Sequence, residues 1–136
     1  YQAYAKKVIE NCQVLASSLE GEGMRAVSGG TQTHLALMDI RGTGITGKVA
    51  DERAGLSGIT MNKNSIPFDP ETAAVTSGIR VGTAAVTTQG MGAAEMKQIA
   101  TLIARAIKDG GDESKAAAIR SEVHALTAKF PVYPRA

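Results

Sequence analysis

Residues 62–83, NKNSIPFDPETAAVTSGIRVGT, form a proline-interrupted stretch that runs into a short strand with one arginine and a glycine two residues to either side. Successive side chains of a strand alternate faces, so Gly78, Arg80 and Gly82 share one face while Ile79 and Val81 point the other way. Glycine weakens a strand interior and is kept where another backbone or a ligand approaches closely, which makes Arg80 a candidate anion seat. A second reading is available from the same pattern. An arginine on an edge strand blunts sheet-to-sheet pairing, and edge charges are a routine device.

Outward from this stretch, apolar spacing organises the chain. Ala5, Val8, Ile9, Cys12, Leu15, Ala16 and Leu19 recur every three or four residues, predicting an amphipathic helix from Tyr1 to about Gly21, closed by Gly21 and Gly23. MRAVS, a Gly29-Gly30 turn and THLALMDI predict two short strands, antiparallel neighbours, the second apolar on both faces as a central strand is. A short helix is expected over about 47–54 with Thr46 as its N-cap, and GITMNKN is expected as a third strand. Pro67 and Pro70 keep the next segment a loop, which delivers the chain to the SGIRVGT strand. Two helices follow, about 93–109 with Gly110 and Gly111 as its stop and about 113–129 ended by Pro131. The order predicts an α+β sandwich: a small sheet of about four mainly antiparallel strands with helices packed largely on one face.

Composition narrows the function. The 43% hydrophobic and 21% charged content over 136 residues is that of one ordinary globular unit. A net charge of +2, with basic residues spread along the chain and few aromatics to stack bases, argues against nucleic acid. One cysteine, Cys12, and two histidines, His34 and His124, leave no zinc cluster; Cys12 lies in the first helix's apolar stripe and reads as a small hydrophobe, and His34 as a wall residue. No metal site is expected. No apolar run approaches the roughly 20 residues of a membrane span and no signal peptide is visible, so the expectation is cytoplasmic, without membrane contact. The chain starts at Tyr1, without an initiator Met and already in helical pattern, and is expected to be part of something longer.

RGTGITGKVADERAG contains two literal phosphate-binding patterns. Gly42, Gly44 and Gly47 fit G-x-G-x-x-G, and Gly42 to Lys48 fits G-x-x-x-x-G-K. The second needs Ser or Thr after its lysine, where Val49 stands, and the first needs an acidic residue about 20 positions on, where NKNSIPF stands. The glycines are therefore read as turn formers. The acids, histidines and hydroxyls form no nucleophile, base and orienter set, so the residues themselves point to binding rather than catalysis.

NKNSIPFDP, VTSGIRVGT, SGGTQTHLALMDIRGTGITGK and the closing FPVY together resemble the C-terminal part of serine hydroxymethyltransferase, over nearly the whole chain from Tyr1 to Tyr133. The resemblance implies a pyridoxal-phosphate enzyme of the aspartate-aminotransferase-like fold, which moves a one-carbon unit between serine and tetrahydrofolate and yields glycine. It implies that residues 1–136 are the single C-terminal small domain, with the large pyridoxal-phosphate-binding domain outside the chain. Arg80 in TSGIR then matches the arginine that takes the amino-acid carboxylate, and Asn64 in NKNS matches a folate contact. The family's Ser-Pro-Phe type triplet before VTSG also touches folate; here Thr72, Ala73 and Ala74 stand in its place. None of the lysines has the threonine-rich context of the family's cofactor lysine, so no catalytic or cofactor-binding residue is expected in this piece, which is expected to be inert alone. Serine or glycine, tetrahydrofolate, the chain's own large domain and a homodimeric or tetrameric parent are the implied partners. The alternatives are a stand-alone module that binds a small carboxylate through Arg80, and the small domain of a related enzyme such as threonine aldolase.

Overall fold

The computed structural model describes residues 2–27 and 34–130. Helix α1 spans Gln2–Glu20, strand β1 Arg25–Ala26, β2 Leu35–Asp39, helix α2 Gly47–Leu56, β3 Asn62–Asn64 and β4 Gly78–Gly82; α3 (Ala84–Thr88), α4 (Ala93–Asp109) and α5 (Glu113–Ala128) follow. The strands form one antiparallel sheet in the order β1-β2-β4-β3. The α+β sandwich expected from element order is thus the architecture observed. The Gly29-Gly30 turn and Pro131 lie outside the described residues.

One face of the sheet is covered by helices. Ala26, Ala36, Met38, Ile79 and Val81 point into a core shared with Cys12, Leu15 and Leu19 of α1 and Met96, Ile103 and Ile107 of α4. Cys12 is fully buried there, as its place in the stripe predicts. Helix α5 stands farther out, burying only Ala116, Ile119 and Leu126. Polar pins fix α1 lengthwise: the Asn11 amide donates to Thr87 Oγ1 (2.9 Å) and the Met91 carbonyl (3.0 Å), and Thr83 Oγ1 donates to the Val8 carbonyl (2.8 Å). A buried amide left without such partners would cost about 1–3 kcal/mol, so these bonds specify one seating of the helix.

The differences from expectation are local. The strands are shorter than their apolar runs, and the third begins at Asn62 because the Ile59 amide still bonds back to Ala54 and Gly58 takes a φ of 80°. Helix α3 was not expected, since AAVTT is short and its β-branched residues favour strand. His34 is exposed rather than a wall residue, and its backbone carbonyl accepts from the Thr83 amide. One difference bears on function. Strand β4 lies between β2 and β3, so Arg80 is not on an edge strand, and the edge-protection reading fails.

Candidate functional site

Among the described residues the sheet's second face carries no helix, and registration places its residues in rows. Arg80 is aligned with Leu37 on one side and Asn62 on the other; Gly78 is aligned with Asp39 and Asn64; Gly82 with Leu35. Arg80, Asn62, Gly82 and Leu35 are exposed, and Asn64 and Leu37 are half-buried. Arg80 and Asn64 therefore share a face on adjacent strands, one row apart. Asn64 Nδ2 donates to the Ser65 carbonyl at 2.9 Å, a bond that does not use the acceptor capacity of its side-chain oxygen. Asn62, in the same row as Arg80, was not singled out from sequence, because strand register had to be known to distinguish it from Asn64.

The two glycines do not leave bare backbone. A Cβ at Gly78 would come within 2.7 Å of Ile66 Cγ2, and one at Gly82 within 2.9 Å of Leu35 Cδ2. Ile66 from the loop and Leu35 from β2 occupy these spaces, with the Asn64 carbonyl as near the Gly78 position as Ile66, so both glycines are required by close packing in the sheet.

The face holds two further arginines, and their state differs. Asp39, 5% exposed, accepts from Arg25 Nη2 at 2.9 Å and from Arg41 through Nε (3.1 Å), Nη2 (2.8 Å) and the backbone amide (3.0 Å). The Arg41 side chain is the main cause that holds the Asp39 carboxyl well below the usual carboxylate range, against the opposing pull of burial; Asp39 in turn raises Arg41. Both carboxylate oxygens are committed. Among the described residues, Arg80 has no ion-pair partner.

The loop over residues 65–77 closes one end of the face. Asp69 is its centre, accepting from the amides of Ile66, Glu71 and Ser77 and from the Ser77 hydroxyl. Thr76 is buried at a φ of 60° and Phe68 is fully exposed at 56°, both in the left-handed region that side chains other than glycine rarely adopt. Thr72, Ala73 and Ala74 are exposed.

Other candidate seats fail on geometry. At the entrance to α2 the amides of Gly47 and Lys48 donate to the Thr76 and Val75 carbonyls at 3.0 and 2.9 Å, and the Val49 amide to the Thr46 hydroxyl. A Cβ at Gly47 would clash with Thr76 Oγ1 and reach 2.5 Å from the Gly78 carbonyl. The chain's own carbonyls thus occupy the donors that a nucleotide or a cofactor phosphate needs. Pyridoxal phosphate does not fit here, and the literal glycine motifs are turn and packing features. A cavity of 330 Å³ between β4, α4 and α5 is lined by Leu15, Val81, Met96, Ile103 and Leu126 and offers little to orient an anion. Among the described residues no group of acids, cysteines and histidines could hold a metal, and no helix is long and apolar enough to cross a membrane.

Fold and site together define a small α+β domain that, among the described residues, carries on one face of its sheet a guanidinium without an ion-pair partner, with side-chain amides on the neighbouring strand. Comparison with known proteins gives this class its family. Residues 1–103 match the family model described as serine hydroxymethyltransferase, and the chain belongs to that family. Proteins named serine hydroxymethyltransferase from Methylobacillus flagellatus and Paracidovorax citrulli are each 49% identical to it over 133 residues, 98% of this chain. The chain spans 32% of the length of each of these relatives.

Proposed function

We propose that this chain is the C-terminal small domain of a pyridoxal-phosphate-dependent serine hydroxymethyltransferase, in which Arg80 seats the carboxylate of serine or glycine. One observation carries the reading: on a face with three arginines, Asp39 is spent on two of them, and the third, on an interior strand, has no ion-pair partner among the described residues. A guanidinium fork offers two parallel bonds to a carboxylate, which fixes the substrate's α-carbon as well as binding it. Lysine cannot reproduce that fork. Asn64, with Asn62 beside it, supplies part of the wall for tetrahydrofolate, where an amide donates and accepts at once. The side chains of Thr72, Ala73 and Ala74 are exposed and present one hydroxyl and two methyl groups, so they add little to that wall.

The cofactor is held by residues outside this chain, in a large domain of the parent, as are the nucleophilic and proton-transfer groups. What Arg80 and the asparagines contribute is orientation and electrostatics for chemistry the cofactor performs. The parent is a homodimer or tetramer acting in the cytoplasm. The family identification favours hydroxymethyl transfer over threonine aldolase, and folate-dependent turnover by the full-length protein separates the two.

The test is Arg80→Lys in the full-length protein. Glycine and serine affinity fall about tenfold or more, the loss of one charge-assisted bond at about 1.5–3 kcal/mol, while cofactor attachment is unchanged. Normal amino-acid binding would remove Arg80 from this role. The 136-residue chain alone cleaves no serine; measurable turnover from it would show that the catalytic groups lie within these residues.

A further inference from the structure

Asn62 and Asn64 stand beside Arg80 only while β3 keeps its register, and β3 is a three-residue strand at the sheet edge. A slip of one residue turns every side chain of a strand to the opposite face, and three aligned pairs resist it poorly. The loop that follows supplies the resistance. Asp69 Oδ2 accepts from the amide of Ile66 at 3.1 Å, two residues beyond β3, and from the amide of Ser77 at 2.8 Å, one residue before β4. A single oxygen thus spans both chain segments just past the last aligned pair, Asn64 with Gly78, as an added rung of the ladder.

The other oxygen completes the arrangement. Oδ1 accepts from the Glu71 amide and the Ser77 hydroxyl, both at 2.8 Å. Loss of hydration opposes the charge on Asp69, but the amides of Glu71 and Ser77, the Ser77 hydroxyl and the Ile66 amide outweigh it and hold its pKa at about 2. The Ile66 side chain that this bond anchors is the one that fills the space over Gly78. Thr76, next to Ser77, keeps its left-handed conformation because its amide is held by the Thr72 carbonyl and its hydroxyl donates to the Gly78 carbonyl.

We propose, resting on the carboxylate-seat reading above, that Asp69 is a positioning residue for both ligands: it fixes the register of Asn62 and Asn64 against Arg80 without touching either ligand. No charge on Asp69 is needed for the seat to attract a carboxylate. Its effect is geometric, and it reaches amino acid and folate together because the rung joins the strands that carry both sets of contacts.

The experiment measures dissociation constants for glycine and a reduced folate, serine turnover, and amide exchange in the full-length protein for Asp69→Asn and Arg80→Lys side by side. An amide at position 69 has one accepting oxygen for backbone donors that the carboxylate meets with two, and its NH2 is set against a backbone N–H on one side, so the arrangement that holds the rung is weakened. Asp69→Asn is expected to raise both dissociation constants about tenfold and the serine KM with them, to leave kcat within about twofold, and to accelerate exchange at Ile66 and Ser77 while α4 stays protected. If α4 also loses protection, Asp69→Glu, which keeps the charge but displaces it by one methylene, is measured in its place with the same expectation. Wild-type affinity for both ligands with Ile66 and Ser77 deprotected overturns the proposal, as does a fall in kcat alone. An unchanged glycine affinity in Arg80→Lys overturns the seat itself; an impaired Arg80→Lys beside an unimpaired Asp69 variant overturns only the role of Asp69.

Discussion

Two arginine sites share the open face of the sheet, and the same side chain does different work at each. Arg25 and Arg41 converge on Asp39, which is 5% exposed while their own side chains are 61% and 53% exposed. Arg80 lies one row away between Ile66 and Leu35 and, among the described residues, has no carboxylate partner. The difference shows how a fold can keep a binding charge available. An acid within reach of all three guanidiniums would neutralise the proposed seat; here the acid is saturated by two of them, which leaves the third available for the carboxylate proposed above. Asp39 is thus part of the fold, and Arg80 is the group the fold leaves over.

The largest effect should come from removing the free member of the pair of sites. Arg80→Ala in the full-length protein is expected to weaken glycine binding about a hundredfold, since truncating one side of a charge pair costs about 2–5 kcal/mol and each 1.4 kcal/mol is tenfold. Its unfolding free energy should stay within about 0.5 kcal/mol of the wild type, because an exposed side chain without a partner supports little of the fold. Calorimetric binding and urea unfolding measured together check both halves. A large stability loss would show that Arg80 is committed after all and would erase the contrast.

Asp39→Ala should behave in the opposite sense. Breaking a wholly buried pair costs about 3–5 kcal/mol, but both arginines here can turn to water, so a loss of about 2 kcal/mol is expected in urea unfolding. Glycine affinity in the full-length protein should change far less than in Arg80→Ala.

How much of this was legible in the sequence follows from which interactions are local. The α1 stripe, the Thr46 cap of α2, the Gly110 stop of α4 and the helix over about 113–129 all rest on spacing within one segment, and the structure repeats them with small shifts of boundary. Arg80 was visible as a candidate because strand alternation isolates it with two glycines. Its surroundings were not, since Ile66 and Leu35 reach those glycines from other segments and no periodicity encodes strand order. The same reason hid the interior position of β4, where local pattern alone allowed an edge. Asp69 escaped notice for another cause: an acid between Pro67 and Phe68 on one side and Pro70 on the other reads as turn chemistry. Only folding shows that its two oxygens collect donors from both ends of the loop.

Acid sharpens the contrast next. Asp39 and Asp69 both have folded pKa values depressed below the ordinary 3.8, Asp69 to about 2. A carboxyl depressed in the folded state contributes stability that is present above its unfolded pKa, about 3.9, and is lost as pH falls toward the folded value. Unfolding free energy of the chain should therefore fall from about pH 4 downward, and in Asp39→Ala the fall should be shallower. Identical acid limbs in the two proteins would mean that Asp39 gains nothing from its arginines.

The smallest effect lies within the committed site and tests how Asp39 divides itself. Arg41 meets it through Nε, Nη2 and its own backbone amide, whereas Arg25 offers a single Nη2 contact from an edge strand of two residues. A side chain held at several points loses its rotamer freedom once for several bonds, while a single contact at a solvent-facing rim is diluted by water and salt. Arg25→Ala should therefore cost about 0.5 kcal/mol or less and lose even that in high salt. Arg41→Ala should lower the thermal midpoint further and keep more of its effect in salt. Each variant removes donors from Asp39 one row from Arg80, more of them in Arg41→Ala than in Arg25→Ala, so glycine binding measured in them asks whether the less saturated carboxylate reaches the seat. A weaker glycine affinity in Arg41→Ala than in Arg25→Ala would show that saturation of Asp39, and not distance alone, keeps Arg80 available.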